Sequence, residues 1–273
     1  MTSYFYRLFI RVFLICIIAM IFLLIQFIYF AKLGFEEFKK TLPDVGQLAH
    51  YEPSLPSIIL SDDNFNIAEI FDERRYPVPI EQISPFVVKS FIAAEDIRFF
   101  DHEGIDWKSF FRASIFYIFK IGTNKQGGST ITQQLAKNIL LTKERTIERK
   151  LKDMVISYEI EKKFTKKKIL EMYLNTIFLG NSSYGIEAAA KNYFKKTNLD
   201  LSLAEAAMIA GLTPAPSAYA PTENFSKAKA RQMYVLTNML KHNMISESEF
   251  NIAKNEHIKV FKAETPNIKY APY

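Results

Sequence analysis

The stretch FIAAEDIRFFDHEGID, from Phe91 to Asp106, places two adjacent acids, Glu95 and Asp96, in an otherwise apolar run. At helical spacing Ile92, Glu95, Phe99 and His102 share a stripe that Ile92 and Phe99 would draw out of water, while Asp96 points elsewhere. An unpaired carboxylate removed from water costs several kcal/mol or keeps its proton. Glu95 therefore reads in two ways, as a partly solvated ion pair or as a working general acid or base, and this stretch alone does not separate them.

The next chemistry along the chain is cationic. NKQGGSTITQQLAKN puts Gly127 and Gly128 just ahead of a helix with Thr130 as N-cap and Gln133 three residues on, the spacing of a capping box. Free N–H groups at such a start, with the helix dipole behind them, make an anion site. Thr130, Gln134, Lys137 and Leu141 form one stripe of that helix, equally readable as a solvated polar face. ERTIERKLKDMVISYEIEKKF follows as a long amphipathic helix whose Ile147, Leu151, Met154 and Tyr158 face a core, with Arg145, Arg149, Lys150 and Asp153 on the other side. A charge run of this kind is ordinarily a solvated face. A lone acid among cations beside a phosphate site, however, suits a diphosphate held both directly and through a divalent metal.

DWKSFFRASIFYIFKIG concentrates the aromatics: Trp107, Phe110, Phe111, Ile115, Phe116, Ile118 and Phe119 cover more than one face, with Lys108, Arg112 and Lys120 among them. A buried core helix seldom needs three cations, whereas a helix dipping into the acyl boundary uses them on headgroups.

These segments need a scaffold, and 273 residues with 49% hydrophobic content suffice for one sizeable core or two small domains. A net charge of +6 suits phosphates or an anionic membrane surface without singling out nucleic acid. The lone Cys16 excludes a disulfide framework and a thiolate metal site. Val12 to Ala31 reads VFLICIIAMIFLLIQFIYFA, long enough at ~1.5 Å per residue to cross a ~30 Å hydrocarbon core. The run is too long for a cleavable signal and its exit lacks an A-x-A-like site. Flanking cations do not decide orientation; a short basic N-terminus before a long domain places that domain outside. TLPDVGQLAHYEPSLPS reads as a linker and SIILSDDNFNIAEIF as a small hairpin around Asp62, Asp63 and Asn64. From Phe86 onward the period is helical, over Phe86 to Glu103, Asp106 to Ile121, Thr130 to Leu140, Glu144 to Phe164, Lys166 to Asn175, Gly185 to Tyr193, Ser202 to Gly211 and Lys227 to His242.

Taken in order, the segments resemble the peptidoglycan glycosyltransferases (glycosyltransferase family 51), lysozyme-like polymerases found alone or as the N-terminal module of class A penicillin-binding proteins. EDIRFFDHEGID is similar to that family's first motif, E-D-x-x-F-x-x-H-x-G-x-D, and GGSTITQQLAKN to its second. RKLKD corresponds to R-K-x-x-E and KKILEMYLNTIFLG to the fourth, while SYGIEAAAKNYF and LSLAEAAMIAGLTPAPSAYAP complete a likeness from about Pro43 to the C-terminus.

The resemblance implies a mainly α, lysozyme-like glycosyltransferase domain with a small β-hairpin and linker region and one N-terminal transmembrane helix. The divisions expected are 1–32 for the cytoplasmic N-terminus and membrane helix, 33–80 for the linker and hairpin, and 81–260 for the glycosyltransferase domain, with 107–125 as a membrane-associating jaw. Residues 261–273 resemble the start of an interdomain linker. Glu95 is implied as the general base on the C4 hydroxyl of lipid II, with the lipid-linked growing glycan as donor and undecaprenyl diphosphate as leaving group. Lys137, Arg149 and Lys150 would stabilise that diphosphate, and Thr130, Gln134 and Asn138 would be polar contacts. Asp96, Phe99 and His102 would shape the site. Asp153 would act catalytically by holding Mg²⁺ or Mn²⁺ against the diphosphate. The implied partners are lipid II, the growing glycan, the bilayer and other cell-wall synthesis proteins, with no nucleic acid. The implied location is the bacterial cytoplasmic membrane, single-pass, with the catalytic domain on the outer face.

Two departures stand out. The third motif ends in Asp153 where the family has Glu, one methylene longer, and YFKK at Tyr193 to Lys196 replaces YFGK. SKAK at Ser226 to Lys229 fits S-x-x-K, but no K-T-G follows, so no transpeptidase is expected in this chain. Two other functions stay open: a lysozyme-like glycan hydrolase, which has little use for a cationic diphosphate site, and a catalytically weakened membrane-anchored scaffold, motivated by Asp153.

Overall fold

A computed structural model describes residues 2–51, 55–71, 73–119, 128–140 and 146–262. Expectations for Leu141, Arg145, Lys120, the end of the jaw and most of the C-terminal tail lie outside those residues. The chain divides between Asp44 and Val45. The first unit is one helix, α1 (Thr2–Lys40), whose segment Phe9–Lys40 is long and apolar enough to cross a membrane. The helix thus continues without a break beyond Ala31, the end of the expected apolar run, to Lys40.

The second unit starts with a 3-10 turn at Val45–His50, in the stretch read as a linker; Leu48 there is buried, and the turn packs against the helix Ile147–Lys163. β1 (Ser57–Leu60) and β2 (Asn66–Ile70) pair antiparallel, Ser57 opposite Ile70, as the hairpin reading expects. Asn64 closes the turn at φ 60°, a conformation asparagine tolerates. A second pair, β3 (Arg74–Arg75) with β4 (Ser183–Tyr184), is parallel and was not visible in the periodicity, because two-residue strands carry no alternation to read.

Helices make the body: α2 (Pro85–Glu95), α3 (Trp107–Phe119), α4 (Ile131–Ile139), α5 (Ile147–Lys163), α6 (Lys166–Thr176), α7 (Ile186–Phe194), α8 (Leu203–Ala210), α9 (Pro216–Tyr219), α10 (Phe225–Lys241) and α11 (Glu247–Asn255). The sequence LAEAAMIA of α8 is apolar all round but for Glu205 in its first turn, and a helix of that kind belongs inside. It packs between α2 and α10, with Val87 and Phe91 of α2 and Val235, Leu236 and Met239 of α10 fully buried. A second layer joins α4, α5 and α6 through Ile131, Leu135, Ile156, Ile160, Ile169 and Leu174. The Phe91 and Tyr173 rings meet edge to face at 6.1 Å and tie the layers together. Each large side chain so buried contributes about 2 kcal/mol.

Two helix expectations change. The run to Glu103 stops at Glu95: Asp96 leaves helical space (φ −154°, ψ 76°) because its carboxylate is used elsewhere, as described below. The chain then turns to Gly104, at φ 84°, where a Cβ would lie 2.6 Å from the Ser157 carbonyl oxygen; only glycine lets this loop lie against α5. The α5 helix presents a different face from the one expected. Leu151 and Tyr158 are exposed, whereas Asp153, Ile156, Ser157 and Ile160 turn inward, because α4 packs along that side. Helix α11 escaped notice although Ser246 and Glu249 form a capping box.

Candidate active site

Glu95 ends α2 at the edge of the core and is half-buried. Two neutral donors hold its carboxylate. Gln134 Nε2 on α4 donates to Oε2 at 2.5 Å, and the Thr213 hydroxyl, in the turn after α8, donates to Oε1. Gln134 is held in turn, since its Oε1 accepts the Tyr173 hydroxyl at 3.3 Å. Burial first, then the nearby Glu95 and Asp96, drives the Tyr173 pKa well above the ordinary phenol value, so the group stays a donor. The ion-pair reading of Glu95 is thereby set aside: both side chains that hold its carboxylate are uncharged.

Asp96 and His102 do a different job. Asp96 Oδ2 accepts the Ile131 N–H at 3.0 Å, and both carboxylate oxygens lie 3.0–3.1 Å from His102 Nε2. Thr130 caps α4 with the full box, and its hydroxyl donates to the Gly104 carbonyl at 2.6 Å. The expected anion site at this helix start is corrected accordingly, because the chain's own Asp96 and Thr130 take up the Ile131 and Gln133 N–H groups. Phe99 is fully buried beneath Lys166, whose Nζ lies 4.4 Å from the ring centroid. Phe99 and His102 support the site from behind without lining it, and Asn138 is exposed outside it.

The cleft in front of Glu95 measures about 880 Å³ and is lined also by Asp96, Gln134, Lys137, Arg149, Lys150, Asp153 and Thr213. Glu95 and the cations Lys137, Arg149 and Lys150, 42 to 55 residues apart in sequence, share one cavity. Lys150 reaches Ser129 Oγ at 2.9 Å and Gln133 Oε1 at 3.4 Å. Burial lowers its pKa, Asp153 opposes that, and Arg149 and Lys137 add to it. Burial raises the Asp153 pKa against the pull of Arg149, Lys150 and Lys137. Both groups thus lie in a place that disfavours charge until a further ion arrives.

Asp153 is 3% exposed, and its Oδ1 is buried without a hydrogen-bond partner. One such oxygen fits a divalent cation shared with substrate phosphates, the way Mg²⁺ is ordinarily held. Among the described residues no group of three His, Cys, Asp or Glu side chains forms a cage by itself. Of the sequence candidates, Glu95, Asp96, Thr130, Gln134, Lys137, Arg149, Lys150 and Asp153 converge here. Thr213, Tyr173 and the α10 side chains Arg231, Tyr234 and Lys241 were missed. The Thr-Pro pair at Thr213 and Pro214, just after a helix that is apolar but for Glu205, was the available signal for the first.

With that geometry in place, a family model described as Transglycosylase matches residues 63–240, and the chain belongs to the transglycosylase family. It is 44% identical over 233 residues to penicillin-binding protein 1A of Escherichia coli K12, covering 85% of this chain and 27% of that protein. To penicillin-binding protein 1A of Rickettsia prowazekii it is 44% identical over 234 residues, covering 84% and 30%. A crystal structure of penicillin-binding protein 1A from Haemophilus influenzae aligns over 80% of this chain and 23% of its own, with TM-score 0.47 and 28% identity. The chain spans roughly a quarter to a third of the length of these curated relatives.

Proposed function

We propose that the chain is a membrane-anchored peptidoglycan glycosyltransferase that polymerises lipid II into β-1,4-linked glycan with release of undecaprenyl diphosphate. Glu95 takes the proton of the acceptor C4 hydroxyl as that oxygen attacks C1 of the lipid-linked glycan. The bond from C1 to the diphosphate breaks, its electron pair leaves on the phosphate oxygen, and the α donor becomes a β product by direct displacement. Lys137, Arg149 and Lys150 receive the developing charge. A divalent metal, when bound, neutralises further charge on the diphosphate, and Asp153 is the residue that would hold it. The observation that carries this reading is the single cleft lined by Glu95, Lys137, Arg149, Lys150 and Asp153.

In the same reading, 81–260 is the catalytic domain, α1 anchors it in the cytoplasmic membrane with the domain outside, and α3 lies in the acyl boundary. The exposed Trp107 and Phe111 support that placement. Other cell-wall synthesis proteins are the expected partners.

The test is polymerisation of fluorescent lipid II by the purified chain, beside Glu95→Gln and Asp153→Glu. Wild type is expected to make polymer, Glu95→Gln to make none, and Asp153→Glu to keep or raise the rate. Equal activity of wild type and Glu95→Gln refutes the general-base role. Release of reducing sugars from finished peptidoglycan makes the chain a hydrolase, and absence of any turnover makes it a scaffold.

A further inference from the structure

We infer that Thr213 is a positioning residue for the base, a hydroxyl that turns its one proton between two acceptors as Glu95 gains and loses its own. This deepens the general-base reading of Glu95 and rests on it. The Thr213 hydroxyl lies within hydrogen-bond reach of Glu95 Oε1 and, on its other side, 3.1 Å from the carbonyl oxygen of Ala210. A hydroxyl carries a single donor and two acceptor lone pairs, so it serves one of those oxygens at a time. While Glu95 is ionised the carboxylate is the stronger acceptor and takes the proton. Once Glu95 has taken the sugar proton that preference is gone. Thr213 then turns its proton to Ala210, whose carbonyl, in the last turn of α8, otherwise lacks an intrahelical partner, and offers its oxygen to the carboxyl. The other group on Glu95, the Gln134 amide nitrogen, is a donor only and has no such second arrangement.

The fold gives this hydroxyl a fixed place. Every residue from Ala206 to Ala210 is fully buried, and the turn that follows is tied by Gly211 N–H to Ala207 O and Leu212 N–H to Ile209 O at 3.0 Å each. Pro214 disfavours helical geometry at Thr213, so the chain does not resume a helix after α8 ends at Ala210, and the Thr213 side chain lines the cleft. Gly211 admits the Arg231 backbone and side chain so closely that a Cβ would come within 2.9 Å of them, which anchors the turn against α10. Glu95 is thus gripped from two layers, by α4 through Gln134 and by the end of α8 through Thr213.

The experiment is steady-state lipid II polymerisation by the full chain with Thr213→Val, which keeps the shape and loses the hydroxyl, Thr213→Ala as a second hydroxyl-free form, Thr213→Ser, and Glu95→Gln. Both hydroxyl-free variants are expected to lose about 10- to 100-fold in kcat with KM within about twofold, the size of effect that follows from a misplaced reacting group. Thr213→Ser is expected to restore most of the rate. Wild-type kcat in Thr213→Val and Thr213→Ala, or a Thr213→Ser rate as low as theirs, overturns the role of Thr213 while an inactive Glu95→Gln leaves the general-base reading standing. A fully active Glu95→Gln removes both.

Discussion

Gln134 of α4 holds Glu95 of α2 at 2.5 Å, and the hydroxyl of Tyr173 on α6 decides which end of the Gln134 amide faces the carboxylate. Three helices therefore specify one oxygen position. The amide spends a donor on Glu95, which makes Gln134 an orienting group for that carboxylate as well as a lining residue of the cleft.

Tyr173→Phe removes only the hydroxyl from a fully buried ring and keeps its edge contact with Phe91. The Gln134 amide is then free to flip. A neutral hydrogen bond contributes about 1 kcal/mol, so kcat is expected to fall about 3- to 10-fold with KM unchanged. Lipid II polymerisation kinetics measure it, and a calorimetric melt checks that the fold is intact.

Asp153→Asn separates stability from activity. Burial raises the pKa of this carboxyl, so the folded state binds its proton more tightly than the unfolded chain does. Stability contributed here falls as pH rises through the window above the ordinary carboxyl value of about 3.9. The variant is expected to melt higher than wild type at neutral pH in the absence of substrate, with the difference vanishing in acid, and to polymerise at least about 10-fold more slowly. Melting curves at several pH values and the polymerisation assay provide the two readouts; a lower melting point at neutral pH would contradict the burial argument.

Asp106 titrates in the opposite sense. Burial alone would raise its pKa, but the Arg98 side-chain bond and the Ser109 hydroxyl and N–H outweigh that and bring it down to about 2. A depressed carboxyl stabilises the fold above its unfolded pKa and loses that contribution as pH falls through the folded one. The shift corresponds to about 2 kcal/mol at neutral pH, lost between about pH 4 and pH 2. Urea unfolding of wild type and Asp106→Asn should show that gap at pH 7 and its closure in acid. Asp106 also accepts the Ser109 N–H at 3.1 Å at the start of α3, a cap that the amide oxygen of Asp106→Asn retains, so the gap reports the charge.

What the residues specify alone is local or ordered along the chain. The apolar run from Val12 spans a helix because its composition allows nothing else in so long a stretch. The capping box of Thr130 and Gln133 and the hairpin around Asn64 form from neighbours within a few positions. The order of the motifs sufficed to bring Glu95, Lys137, Arg149 and Asp153 under one family's chemistry.

The tertiary structure decided the rest, and the reason is competition between local pattern and distant partners. Periodicity carried α2 on to Glu103, but Asp96 is drawn to the Ile131 N–H, 35 positions away, and the helix ends. Amphipathicity gave α5 an inward face with Leu151 and Tyr158, yet packing on α4 turned Asp153 inward at the cost of desolvating it. Thr213 meets Glu95 across 118 positions, a distance over which no spacing rule operates. Contacts of that range exist only after the α8 core has closed, which is why Glu95 was legible in the chain and the hydroxyl that holds it was not.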